Sequence, residues 1–119
     1  MPIKEELKHK IIDGKIISGL LVEKVSAGIF ELTKKDITPT LAVVLIGDDP
    51  ASQVYVRNKK IMCEKVGILS VEYKFGEDIK ETELLSLIDS LNRDKGINGI
   101  LVQFPIPPHI SKQKTINAI

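Results

Sequence analysis

Tyr55, Lys59, Met62 and Val66 recur at offsets of four, three and four, so a helix would carry all of them on one face. A lysine in that row is out of place, and two readings stand. Lys59 can snorkel at the edge of an apolar stripe, with its stem packed and its ammonium in water. Alternatively it stands beside the Tyr55 ring in a cleft, where desolvation can bring an amine into the range of a general base. Arg57, Lys60 and Lys65 fall on other faces and read as ordinary solvated charges. Ser52 either caps this helix or sits one turn before Tyr55, and capping is the plainer role. Gln103 is the second anomaly, because it interrupts an apolar run between Ile100-Leu101-Val102 and Phe104. A buried amide must find partners, so Gln103 is either a structural tie or a pocket group. His109 has no second ligand at metal spacing and reads as a surface polar residue; Cys63, among apolar neighbours, reads as inert packing.

The elements that must position these residues alternate in type. Asp13-Gly14 opens a helical stretch in which Ile17, Leu21, Val25, Ile29 and Leu32 form one stripe, widened by Ile16 and Leu20. Thr38-Pro39 breaks it. Thr40 to Ile46 is a nearly continuous apolar run, as expected of a strand buried on both faces, and Gly47 ends it. Asp48-Asp49-Pro50 has helix-start chemistry, and a second helix should run to Val66, with Gly67 as its terminating glycine. Ile68 to Phe75 reads as a second strand, less apolar and nearer an edge. The D-x-x-E from Asp78 to Glu81 reads as a capping box before a helical face of Leu84, Leu87, Ile88 and Leu91. Asn98-Gly99 turns into a third strand, Ile100 to Phe104, followed by the loop Pro105-Ile106-Pro107-Pro108, in which an X-Pro bond is a candidate for the cis form.

This alternation is the pattern of βαβ units and a parallel sheet. Leu45, Ile46, Leu101 and Val102 are expected on central strands, nearly fully buried. Ligands of such sheets sit outside the carboxyl ends of the strands. Here those ends are Gly47-Asp48-Asp49, Phe75-Gly76-Glu77 and Gln103-Phe104-Pro105, and Tyr55, Lys59 and Gln103 are expected to converge there.

Size and charge bound the function. The chain has 119 residues, 43% of them hydrophobic and 28% charged, which suits one globular domain and argues against disorder. Seventeen Lys+Arg against 16 Asp+Glu give a net charge of +1, so binding of nucleic acid through bulk charge is not expected. The single cysteine excludes a disulfide framework and a cysteine metal cluster. No apolar run approaches the ~20 residues of a membrane span, and the lysine-rich start resembles no secretory signal, so a soluble domain of a reducing compartment is expected.

Three short motifs fail on context. Tyr55-Val56-Arg57-Asn58-Lys59 matches the Y-x-x-x-K of short-chain dehydrogenases, but no glycine-rich dinucleotide loop lies upstream. Leu45-Ile46-Gly47-Asp48-Asp49 resembles the acidic pair of phosphoreceiver domains, yet the third strand ends in Gln103-Phe104-Pro105 rather than in a phosphoacceptor aspartate. Gly47 to Val54 is no P-loop, since no G-K-[ST] closes it.

Longer blocks carry a firmer resemblance. Leu41 to Lys60 (LAVVLIGDDPASQVYVRNKK) resembles the first signature of methylenetetrahydrofolate dehydrogenase/methenyltetrahydrofolate cyclohydrolases. Gly99 to Pro107 (GILVQFPIP) is similar to their second block, with Phe104 where leucine is usual, and Asp13-Gly14-Lys15 fits the start of their first helix. The resemblance covers essentially the whole chain. It implies a three-layer αβα fold with a small, mainly parallel sheet, Rossmann-like in the manner of amino-acid-dehydrogenase N-terminal domains. It further implies that residues 1–119 form a truncated folate-binding catalytic domain, lacking the NADP-binding Rossmann domain and the family's D-G-[FY] aspartate. By the same resemblance Lys59, Tyr55 and Gln103 are catalytic, and Tyr55, Lys59, Val102, Gln103, Phe104 and Pro105 bind substrate. Lys59 would move the proton, Gln103 would hold the lysine amine and a reacting atom, and Tyr55 would stack on a folate ring. The implied substrates are tetrahydrofolate derivatives of one-carbon metabolism. The full-length enzyme would be a cytoplasmic homodimer using NADP, with no metal and no nucleic-acid or membrane partner. A folate-binding module without turnover is the non-enzymatic alternative.

Overall fold

The Asp13 carboxylate starts the first helix by accepting from the backbone N–H groups of Lys15 at 3.0 Å and Ile16 at 3.3 Å, two amides that have no partner within the helix. The computed structural model describes residues 4–119. After a 3-10 helix over Glu5–Lys10, the order is α1 (Gly14–Thr33), β1 (Thr40–Ile46), α2 (Pro50–Val66), β2 (Leu69–Phe75), α3 (Glu81–Arg93), β3 (Gly99–Val102) and α4 (Lys112–Ala118). The three strands form one open sheet in the order β2-β1-β3, parallel throughout. The α/β class and the parallel sheet agree with the expectation.

β1 is central, and its alternation divides the core in two. Ala42, Val44 and Ile46 face α3, where they pack with Leu84, Ile88, Leu91, Ile106 and Ile110. Val43 and Leu45 face the other way, against Val56 of α2 and the half-buried Leu41 and Leu101. Asn98 begins β3 by exchanging two hydrogen bonds with Thr40: its side-chain oxygen accepts from the Thr40 N–H, and its own N–H donates to the Thr40 carbonyl, both at 2.9 Å.

Three expectations need correction. Leu45 and Ile46 are buried as expected, but Leu101 and Val102 are only half-buried, because β3 pairs on one side only and ends two residues earlier than expected. The α1 stripe does not pack as a core face: Ile29 is buried, whereas Ile16, Ile17, Leu20, Leu21 and Val25 are exposed. Leu21 and Val25 border an open hollow between α1, α2 and β3 instead of lying against the sheet. The D-x-x-E capping box does not form either. Lys80 takes the N-cap position without a side-chain bond, and Glu81 turns to Ser111, accepting from its N–H at 2.8 Å. Helix α4 was not foreseen; Ser111 caps it by accepting from the Lys114 N–H at 3.2 Å.

Candidate functional site

Helix α2 begins at Pro50, whose missing N–H costs nothing at a helix start. Its N-cap is Asp49, not Ser52: one Asp49 oxygen accepts from the Ser52 N–H at 2.9 Å and from the Ser52 hydroxyl at 3.0 Å. Val56, Cys63 and Val66 bury one side of the helix, and Gly67 closes it with a left-handed φ of 95°. Burial, with a smaller contribution from neighbouring Glu64, raises the Cys63 thiol above its ordinary value, which fits inert packing.

The face one step round from the buried side carries Tyr55 and Lys59. Lys59 is half-buried. Its Nζ donates to the Gln103 side-chain oxygen at 2.7 Å, across 44 residues of sequence. The same ammonium lies 5.8 Å from the centroid of the Tyr55 ring. Tyr55 itself is 56% exposed, which leaves a ring face open to a ligand. Tyr55, Lys59 and Gln103 thus meet just past the carboxyl ends of β1 and β3, where the open-sheet rule directs a ligand.

Gln103 resolves both of its readings at once. Its N–H donates to the Val44 carbonyl at 2.9 Å, extending the β1–β3 ladder by one bond and fixing its backbone. Its side-chain nitrogen donates to the Phe104 carbonyl at 3.1 Å, and its oxygen faces Lys59. The amide orientation follows from chemistry, since the carbonyl only accepts and an ammonium only donates.

The remaining substrate-binding candidates divide by strand alternation. The side chains of Val102 and Phe104 pack toward the α3 core with Ile100, on the face of the sheet away from Lys59. Phe104 reaches the site through its carbonyl alone. Pro105 is exposed, and its bond to Phe104 is cis. An apolar hollow of about 540 Å³ adjoins Lys59, lined on its other sides by Leu21, Val25, Met62 and Leu101 among others.

Two side chains did more than their sequence context indicated. Ser52 is 3% exposed, and its hydroxyl, whose one proton goes to Asp49, lies 3.4 Å from the Phe104 carbonyl. His109 is exposed, yet its Nε2–H donates to the Ile79 carbonyl at 2.6 Å, tying the proline loop to the start of α3. For Ser52 the signal was present as a small polar residue one turn before Tyr55; for His109 none was.

Residues 12–119 match the family model described as the tetrahydrofolate dehydrogenase/cyclohydrolase catalytic domain. The chain belongs to this family. It is 53% identical over 110 residues to the bifunctional protein FolD of Bordetella petrii, covering 92% of this chain and 37% of that protein. The structure of the bifunctional FolD enzyme of Campylobacter jejuni superposes with a TM-score of 0.87 at 45% identity, over 90% of this chain and 38% of the other. A Trypanosoma brucei FolD, solved with NADP and an inhibitor, gives a TM-score of 0.84 at 25% identity, over 92% of this chain and 37% of that one. The chain therefore spans about two fifths of the length of the relatives it matches.

Family membership raises the question of whether these residues could hold a dinucleotide. In Rossmann-like sheets the pyrophosphate rests on glycine-rich backbone at a helix N-terminus after a strand. Here the β1–α2 turn is Gly47-Asp48-Asp49-Pro50, and the Asp49 carboxylate already accepts from the Ser52 N–H in the first turn of α2. A phosphate would meet two carboxylates and one missing N–H there. This chain's turn does not fit a pyrophosphate.

Proposed function

We propose that this chain is the folate-binding part of an enzyme that oxidises methylenetetrahydrofolate to methenyltetrahydrofolate and hydrolyses that product to formyltetrahydrofolate. The observation that carries the reading is the 2.7 Å bond from Lys59 to Gln103 beside the open Tyr55 ring, at the ligand-binding end of the sheet. The likeness to the dehydrogenase/cyclohydrolases of Campylobacter jejuni and Trypanosoma brucei supports it. NADP is the proposed cofactor of the full-length protein, held by polypeptide other than this turn. The family resemblance alone supports a cytoplasmic homodimer.

For hydrolysis, a water oxygen bonds to the one-carbon bridge, which is a cation shared between two folate nitrogens. Both protons leave that oxygen as it becomes the formyl carbonyl: one goes to solvent, and one is delivered to the nitrogen whose bond to the carbon breaks. Lys59 is the group suited to carry the proton between them. Gln103 accepts one Lys59 N–H, so in the neutral amine the lone pair is left free for the reacting atoms. Tyr55 offers its ring for stacking on the folate and its hydroxyl for a hydrogen bond. In the oxidation this chain's share is to hold the folate in place.

Calorimetric titration of the full-length protein with tetrahydrofolate tests the assignment. Tyr55→Ala should weaken binding by about three- to tenfold, the worth of one aromatic contact. Unchanged affinity would remove Tyr55 from the site, and no saturable binding by the parent protein would end the folate reading.

A further inference from the structure

The loop from Pro105 to Pro108 cannot hold itself in place. Pro105, Pro107 and Pro108 carry no N–H, so three of its four residues have nothing to donate to a ladder. The buried side chains of Ile106 and Ile110 seat it against the α3 core. Such apolar contacts set how deep the loop sits, but they are non-directional and leave its tilt open. Two directional ties close that freedom, and both run to the start of α3. The His109 Nε2–H donates to the Ile79 carbonyl at 2.6 Å, and the Ser111 N–H donates to the Glu81 carboxylate at 2.8 Å. Residues 109 and 111 thus meet 79 and 81 at the same offset of 30, so the two segments run side by side. The receiving end is firm: Ile79 is buried, and its own N–H donates to the Gly76 carbonyl at 3.2 Å. Neither tie serves a local purpose. His109 is exposed to water that could satisfy it, and Glu81 leaves the capping box that its sequence position offers.

We infer that His109 is a positioning residue for the proline loop, setting the wall that Pro105 presents to a bound folate. The inference rests on the proposed folate activity. Gln103 has an anchor of its own, since its N–H bonds the Val44 carbonyl of the central strand. The His109 tie therefore governs what lies beyond Gln103 and leaves the Lys59–Gln103 bond where it is. Its loss should be felt as weaker substrate binding, with the proton step unchanged. A contact made equally well in the ground state and the transition state behaves that way: without it KM rises and kcat holds. The Ile79 carbonyl only accepts, so Nε2 must carry the proton. Any side chain that brings an N–H to that point can then replace the imidazole.

The test takes two readouts from the full-length enzyme. In hydrolysis of methenyltetrahydrofolate, His109→Ala should raise KM about fivefold, the worth of one hydrogen bond, with kcat changed less than about twofold. His109→Gln keeps an N–H at similar reach and should return KM to the parent value. Amide hydrogen exchange reads the loop without substrate. The Ile110 N–H, bonded to the Pro107 carbonyl at 3.0 Å, should exchange faster in His109→Ala while the β1 amides keep their parent rates. Faster exchange at Ile110 with an unchanged KM would mean that the loop loosens without touching the substrate; the inference falls and the folate reading stands. Unchanged exchange at Ile110 would overturn the tie itself. Faster exchange at Ile110 and in β1 alike would make the loss one of global stability, and a fall in kcat at constant KM would put His109 in the chemistry; either result overturns the inference. No hydrolysis by the parent enzyme would end the folate reading, and the inference with it.

Discussion

Replacing Lys59 by glutamine separates positioning from proton transfer. The glutamine side chain is one bond shorter, about 1.5 Å. The 2.7 Å contact to Gln103 then opens to about 4 Å, too long for a direct bond and wide enough for a bridging water. The lost contact is worth about 1 kcal/mol, or roughly fivefold, and it should act on both reactions alike. Hydride loss from the one-carbon bridge leaves a cation already stabilised by nitrogen, so it needs little more than that positioning. Hydrolysis also loses its titratable amine, which adds a further ~100- to 10,000-fold. Lys59→Gln should therefore depress hydrolysis at least ~100-fold more than oxidation. Both rates are measured on one preparation of the full-length enzyme, with methenyltetrahydrofolate and methylenetetrahydrofolate as substrates at saturation. Equal losses would mean that Lys59 only holds the folate, and that the acid–base group lies elsewhere.

Stability experiments probe the scaffold. Leu45 is 4% exposed on the central strand, so Leu45→Ala should cost ~2–5 kcal/mol in urea unfolding, and a loss under ~1 kcal/mol would contradict its place in the core. Gly67→Ala puts a Cβ at a φ of 95° and 3.0 Å from the Ile29 Cγ2; a loss of about 1–2 kcal/mol is expected, and an unchanged urea midpoint would refute the strain. The Ser111 N–H, followed by the bond and charge of Lys114, holds the Glu81 carboxyl below its ordinary 4.5. A depressed folded-state value stabilises above the unfolded value and is lost as pH falls through the folded one. Urea midpoints should thus fall below about pH 4.5 in the parent and less steeply in Glu81→Gln; parallel acid limbs would clear Glu81 of that role.

The sheet was legible because its signals are local. β1 is an unbroken apolar run, and Asp13, Gly47 and Gly67 mark ends through chemistry that needs only a neighbour or two. The lysine–glutamine pair was legible for a different reason: each breaks an apolar pattern, and such breaks need a partner. What the sequence did not disclose depends on contacts across the chain. Glu81 could satisfy a local capping box or reach Ser111, 30 residues on, and the pattern D-x-x-E cannot say which. The α1 stripe has helical period, but period reports which face is apolar and not whether anything covers it. Val102 and Phe104 flank Gln103 in sequence, and a period of two sends their side chains to the opposite face.

That same period explains how a small domain holds the Lys59–Gln103 pair in place. The face of β1 toward α3 carries the larger buried cluster, while the cluster toward α2 is built on Val43, Leu45 and Val56. The thinner face is the one that can leave room for a ligand. Its precision comes from backbone anchors instead of side-chain bulk. Gln103 is tied to Val44 of the central strand through its own N–H. Lys59 stands between Val56 and Cys63, both buried one turn to either side. Each partner's backbone therefore belongs to a rigid element, and only the last few side-chain bonds must be set by hydrogen bonding. Tyr55 is the exception. Exposed at the rim on the same helix, it can turn its ring to an incoming ligand without disturbing the pair behind it.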